Sequence, residues 1–111
     1  MDNSVRNYVT ELNTGILVLD ESLKIMYLNS SAQSMLDISL KSSRKKELKE
    51  LFYEEPDSYE NFKSCLSEKS NFTKVDALLF VKGGKRLLCD YHIQHFSYDP
   101  VEEGLIIEII N

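Results

Sequence analysis

The sequence predicts an α+β domain: one antiparallel five-stranded sheet with short helices gathered on one face. Three observations carry that prediction. Two short apolar runs, residues 16–19 and 23–28, flank Asp20-Glu21-Ser22 and lead directly into Asn29-Ser30-Ser31-Ala32-Gln33. The apolar spacing is helical through the middle of the chain and turns strand-like after Asn71. Lys82-Gly83-Gly84-Lys85 then separates two strand-like runs, and paired glycines accept the positive φ angles of a primed hairpin turn. Strands, then helices, then strands again is the order of a segregated α+β architecture.

Each element follows from its own pattern. Val5, Tyr8, Val9 and Leu12 form an i, i+3, i+4, i+7 stripe over residues 3–12, the signature of one apolar helix face, with Asn3 or Ser4 as cap. A helix of about ten residues is marginal alone, so the stripe must dock, either on the domain's own sheet or on a second copy. Asn13-Thr14-Gly15 ends it, with Gly15 available as a left-handed cap. The first two strands occupy the apolar runs named above. Ser30 and Gln33 have capping-box spacing, so a helix starts there and turns Ala32, Met35 and Leu36 inward.

Residues 39–46 are polar and basic and read as a solvated loop. Leu48, Leu51 and Phe52 restore helical spacing over residues 46–53. Pro56 interrupts, and Asp57 with Glu60 marks a new helix start. Its inward stripe is Tyr59, Phe62, Cys65 and Leu66, running to about Glu68. A strand over 72–81, the glycine turn and a return strand follow. On the return strand Leu87, Cys89, Tyr91 and Ile93 share the buried face, opposite Leu88, Asp90, His92 and Gln94. Residues 95–104 form a loop and 105–110 the last strand.

A chain of 111 residues is one domain, divided into the N-terminal amphipathic helix (1–13) and the sheet-and-helix body (14–111). At this length it buries roughly two-thirds of its unfolded surface. The net charge of -5 excludes general nucleic-acid binding, which needs clustered positive charge. No apolar run approaches the ~20 residues that span a bilayer, and the first residues lack the apolar core of a secretory signal. Cys65 and Cys89 are too few for a disulfide framework. A cytoplasmic, reduced protein with no membrane association is the expectation.

The strand pair GILVLDESLKIMYLN running into the helix NSSAQSML resembles the opening of PAS domains, the small sensory modules of signalling proteins. More narrowly, it resembles the N-terminal PAS domain of the NtrB-type nitrogen-regulation sensor histidine kinases, where the second strand also ends in Asn before small residues, Ala, Gln and two apolar positions. The resemblance implies the strand order 2-1-5-4-3. It also implies helices before the core that act as dimer contacts, here Val5, Tyr8, Val9 and Leu12. It implies a longer kinase from which these residues are excised, one that autophosphorylates on histidine with ATP, phosphorylates a response regulator and answers to a PII-type signal protein. None of those catalytic parts lies in these residues, so no catalytic residue is expected here.

Candidate chemistry is sparse. Cys89, His92 and His95 have the spacing C-x-x-H-x-x-H, but side chains alternate along a strand, so three ligands split across a sheet cannot converge on a tetrahedral ion. No Ser or Cys sits on a G-x-S-x-G elbow, and no helix follows Gly83-Gly84 to present its N-terminus to a phosphate. PAS haem sites use a helical histidine, flavin photosensors an Asn-Cys-Arg-Phe-Leu-type helix, and chromophore-binding relatives a cysteine in another setting. This chain matches none of the three, so no metal or covalent cofactor is expected. What remains is a hollow between sheet and helices, with Tyr27, Met35, Leu36, Phe52, Phe62, Cys89 and Tyr91 as its candidate wall. Either those side chains fill the core to ordinary density or they leave room for a small apolar metabolite. A free-standing interaction module is the third alternative.

Overall fold

The computed structural model describes residues 14–97 and 102–111. The expected N-terminal helix with Val5, Tyr8, Val9 and Leu12, and the Tyr98-Asp99-Pro100 part of the expected loop, lie outside the described residues. Among the described residues six strands form one sheet: β1 (Thr14–Asp20), β2 (Ile25–Leu28), β3 (Phe52–Tyr53), β4 (Phe72–Val81), β5 (Arg86–Ser97) and β6 (Glu103–Ile110). Their order is β2-β1-β6-β5-β4-β3, and every pairing is antiparallel. The five expected strands stand in the expected order, and β3 is the addition. Among the described residues three helices accompany the sheet: α1 (Ser30–Leu36), α2 (Leu40–Ser43) and α3 (Tyr59–Glu68).

β3 replaces an expected helix. Leu48–Glu50 forms only a single 3-10 turn, after which Phe52 and Tyr53 pair with Val81 and Phe80. The outer edge of β4 carries unpaired backbone groups that favour such an addition, and Lys82 N also donates to the Leu51 carbonyl at 2.9 Å. The polar stretch after Ile38 is likewise not an open loop. Ser39 caps α2 by accepting from Ser42 N, and Ser43 is buried. β5 runs through His95 and Phe96, expected to be loop, because they pair with Leu105 and Gly104 of β6.

The first hairpin turns at Asp20, whose Oδ1 accepts from the backbone N–H groups of Ser22 and Lys24. Gly83 and Gly84 both adopt φ of 99° in the second, as the paired-glycine signal requires. Gly15, expected as a helix cap, lies instead inside β1. There a Cβ would stand 3.1 Å from the Ala32 Cα and the Met35 Sδ, so glycine is what lets α1 approach the sheet.

The α1 cap is Asn29, one residue before the expected Ser30. Asn29 Oδ1 accepts from Ala32 N at 2.8 Å and from Ile16 N at 2.9 Å, while Nδ2 donates to the Thr14 carbonyl at 3.2 Å. Gln33, expected to complete a capping box, turns its Nε2 to the Leu28 carbonyl and accepts from Leu40 N through Oε1. One side chain thus caps a helix and closes a gap in β1. Asn29→Ala should cost about 2 kcal/mol, read as a lower urea midpoint. Asn29→Asp, which keeps both accepted bonds, should recover about half of that loss.

A single apolar core lies between the sheet and its helices. Leu17, Leu19, Ile25, Leu28, Leu36, Leu79, Ile93, Leu105, Ile107 and Ile109 are all buried within it. Each such aliphatic side chain contributes roughly 1.5–3 kcal/mol.

Candidate functional site

At one end of this core, the polypeptide leaving β3 and entering α3 borders a cleft of about 490 Å³. Its lining is Leu48, Lys49, Phe52, Tyr53, Glu54, Glu55, Asp57, Ser58, Tyr59 and Phe62. Apolar and aromatic surface forms most of the wall; the acidic groups come from the connection between β3 and α3, and the one basic group, Lys49, from the 3-10 turn before β3.

Glu54 is the unusual member. Its residue surface is only 4% exposed, and a carboxylate so placed must be paired. Lys74 Nζ meets Oε1 at 2.7 Å. The Tyr91 hydroxyl donates to Oε2 at 2.7 Å, and the Ser58 hydroxyl donates to the same oxygen. Lys74 of β4 and Tyr91 of β5 are register partners, so both project on the inner face and converge on one carboxylate. Ser58 precedes α3 without capping it, and Tyr59 N instead finds Asp57 Oδ1 at 2.9 Å.

Burial pushes the Glu54 carboxyl up, but hydrogen bonds from Lys74, Ser58 and Tyr91 outweigh it and hold the group below its ordinary value. Burial drives the Tyr91 phenol well above the usual range, so it remains a neutral donor. Burial, followed by the nearby Glu54 and Asp90 charges, pushes the Cys89 thiol up to about 11. Behind the network Tyr91 stacks on Phe62, with ring centroids 5.7 Å apart, and tilts against Phe72. Of these rings Phe62 faces the cleft, Tyr91 is buried and Phe72 is partly buried against the core.

The candidate wall divides accordingly. Phe52 and Phe62 line the cleft, and Tyr91 stands directly behind it. Cys89 is buried farther along β5 on the same face, and Met35 and Leu36 pack in the core beneath α1. Tyr27 does not belong to the wall. It pairs with Val18 on the outer face and is 47% exposed, because strand alternation turns it away from its buried neighbour Leu28. Sequence reasoning missed Glu54, Ser58 and Lys74. The one signal they offered, a lysine in a strand-forming run, gains meaning only once the register places it opposite Tyr91.

Cys89 and His92 occupy opposite faces of β5, as strand alternation demands. His92 Nδ1 lies 2.6 Å from Thr73 Oγ1, and His95 Nε2 lies 3.3 Å from Glu103 Oε2. Among the described residues no group of three His, Cys, Asp or Glu side chains is arranged to hold a metal ion.

A family model described as the PAS fold matches residues 3–107. The chain belongs to the PAS family. No curated protein matches it, whereas solved PAS structures do. The PAS domain of nitrogen regulation protein NR(II) from Vibrio parahaemolyticus is 18% identical with a TM-score of 0.72, over 97% of each chain. A PAS domain from a two-component sensor histidine kinase is 12% identical with a TM-score of 0.68, over 96% of this chain and 91% of that one. The Escherichia coli DhaR(N)-DhaL complex matches at 13% identity and a TM-score of 0.66, over 98% of this chain and 36% of that one. At these identities the likeness is one of fold. This PAS domain therefore shares its architecture with the sensor domains of histidine kinases. Among its described residues no helix is long and apolar enough to cross a membrane.

Proposed function

We propose that this PAS domain is the regulatory module of an NtrB-like two-component sensor histidine kinase controlling nitrogen assimilation. The observation that carries the reading is the end-to-end likeness to the NR(II) PAS domain, 97% of each chain, together with the Asn29 cap and small-residue helix on which the sequence resemblance rests. The rest of such a kinase would supply ATP-dependent autophosphorylation on histidine, transfer to a response regulator and control by a PII-type protein. The domain acts as a cytoplasmic homodimer whose two arrangements bias the attached kinase helices, with Val5, Tyr8, Val9 and Leu12 as the contact stripe.

The dimer is directly testable. Introducing Val5→Glu together with Val9→Glu should convert a dimer into a folded monomer in sedimentation velocity, with the circular dichroism spectrum retained. A wild-type chain that sediments as a monomer at high concentration would remove the mechanism. Reading the gene downstream tests the kinase assignment, which expects a His-Glu-x-x-Asn-Pro phosphoacceptor motif.

The cleft favours a second reading, a PAS sensor that takes up a small molecule. Native mass spectrometry of freshly purified protein separates the two, because a retained ligand adds mass and a filled core does not.

A further inference from the structure

We infer that the cleft between the 3-10 turn and α3 receives a small organic ammonium carried on an apolar or aromatic body; this rests on the sensor reading and specifies its ligand class. Glu54 is neutralised inside by Lys74. The charge facing the opening is therefore set by the exposed carboxylates of Glu55 and Asp57 against the single ammonium of Lys49. An anionic ligand entering there meets net repulsion and a cation meets attraction.

The wall supports the same sign. The exposed Tyr53 ring and the half-buried Tyr59 offer aromatic surface for a hydrocarbon body, backed by the buried Leu48, Phe52 and Phe62, and the Tyr59 ring offers a π face to a cation. The chain's own chemistry displays that preference, since Lys49 Nζ lies 5.8 Å from the Tyr59 ring centroid. Lys49 is exposed, and its other neighbour, Glu47 Oε2, is 3.7 Å away. A soluble ammonium would replace this tethered one on the ring. Behind the wall Tyr91 stacks on Phe62 and tilts against Phe72, which places the ligand on the opening side of these rings.

Phenethylamine, phenethyl alcohol and hydrocinnamate present one aromatic body with a positive, neutral or negative end. Each is titrated into the full isotope-labelled chain and followed through backbone amide shifts. The amine should saturate in the millimolar range for so small a probe, moving amides of residues 48–62. It should bind about tenfold more tightly than the alcohol, with the acid weakest. Glu55→Gln combined with Asp57→Asn should erase that advantage; Asp57→Asn keeps the oxygen that accepts from Tyr59 N. Lys49→Met should tighten the amine about threefold by freeing the Tyr59 ring, a gain that a purely structural role for Lys49 does not produce.

Equal or reversed ranking at the cleft overturns the ammonium class and leaves the sensor reading standing. Silence from all three probes, with no added mass in the native spectrum, removes both. Amine shifts confined to other surfaces, or unchanged by the carboxylate variants, also overturn the inference.

Discussion

Glu54→Ala should lower the stability of the domain by about 3 kcal/mol, and its melting temperature by roughly 10 °C. The substitution removes more than one ion pair. It strands the inward-facing Lys74 ammonium and deprives the buried Tyr91 hydroxyl of its acceptor, and unpartnered groups cost more than the bonds themselves contribute. The figure sits at the low end for a broken buried pair because the Lys74 side chain is 35% exposed and partly rehydrates. Differential scanning calorimetry at neutral pH gives the direct reading.

The same carboxylate gives stability a pH dependence of definite sign. The folded-state value of Glu54 lies below its unfolded value. Its contribution is therefore complete above the ordinary carboxylate range and is lost as pH falls through the folded value. Urea midpoints of the wild type should drop on the acid side, whereas Glu54→Gln should lack that component of the drop. A gap between the two proteins that widens toward low pH would contradict the assignment.

Gly104→Ala should be equally damaging for an unrelated reason. Gly104 lies in β6 opposite Asp20 of β1 and Phe96 of β5. A Cβ there would stand 2.0 Å from the Leu19 carbonyl oxygen and 3.0 Å from two ring atoms of Phe96. A backbone oxygen in a paired strand cannot move aside as a flexible side chain can, so the cost is about 3 kcal/mol. Gly83→Ala makes the informative control. That position has open space but a φ of 99°, so the loss should be only about 1 kcal/mol, of conformational origin. Chemical denaturation of both variants should therefore rank them by steric contact, with Gly104→Ala the weaker protein by a clear margin.

The elements readable in advance were those whose signal is local. The Gly83-Gly84 turn announced itself because two adjacent glycines suit two adjacent positive φ angles. The alternation Leu87, Cys89, Tyr91, Ile93 survived intact as the buried face of β5, since period two is a property of any strand. Tyr59, Phe62, Cys65 and Leu66 likewise marked α3, whose observed end at Glu68 matches the expected one. Short segments fared worse. Leu48, Leu51 and Phe52 have helical spacing, yet Phe52 joins the sheet, because an open strand edge decides more than the propensity of a few residues.

The site followed the same division. Phe52, Phe62 and Tyr91 were recognisable as large apolar side chains on inward positions, whereas Tyr27 was misplaced because its apolar run of six residues carried no alternation to assign a face. Glu54 looked like one more acidic residue before a proline.

By itself, then, the amino-acid sequence determined the α+β plan and the places of five strands through patterns spanning a few residues or one turn, while the order of those strands came from the PAS resemblance. Only the tertiary structure decided that Glu54 is buried, that Asn29 joins α1 to β1, and that the cleft opens beside the aromatic core and not within it. The reason is distance along the chain: Glu54 meets partners 20 and 37 residues away, and nothing short of the β4–β5 register brings them to one carboxylate.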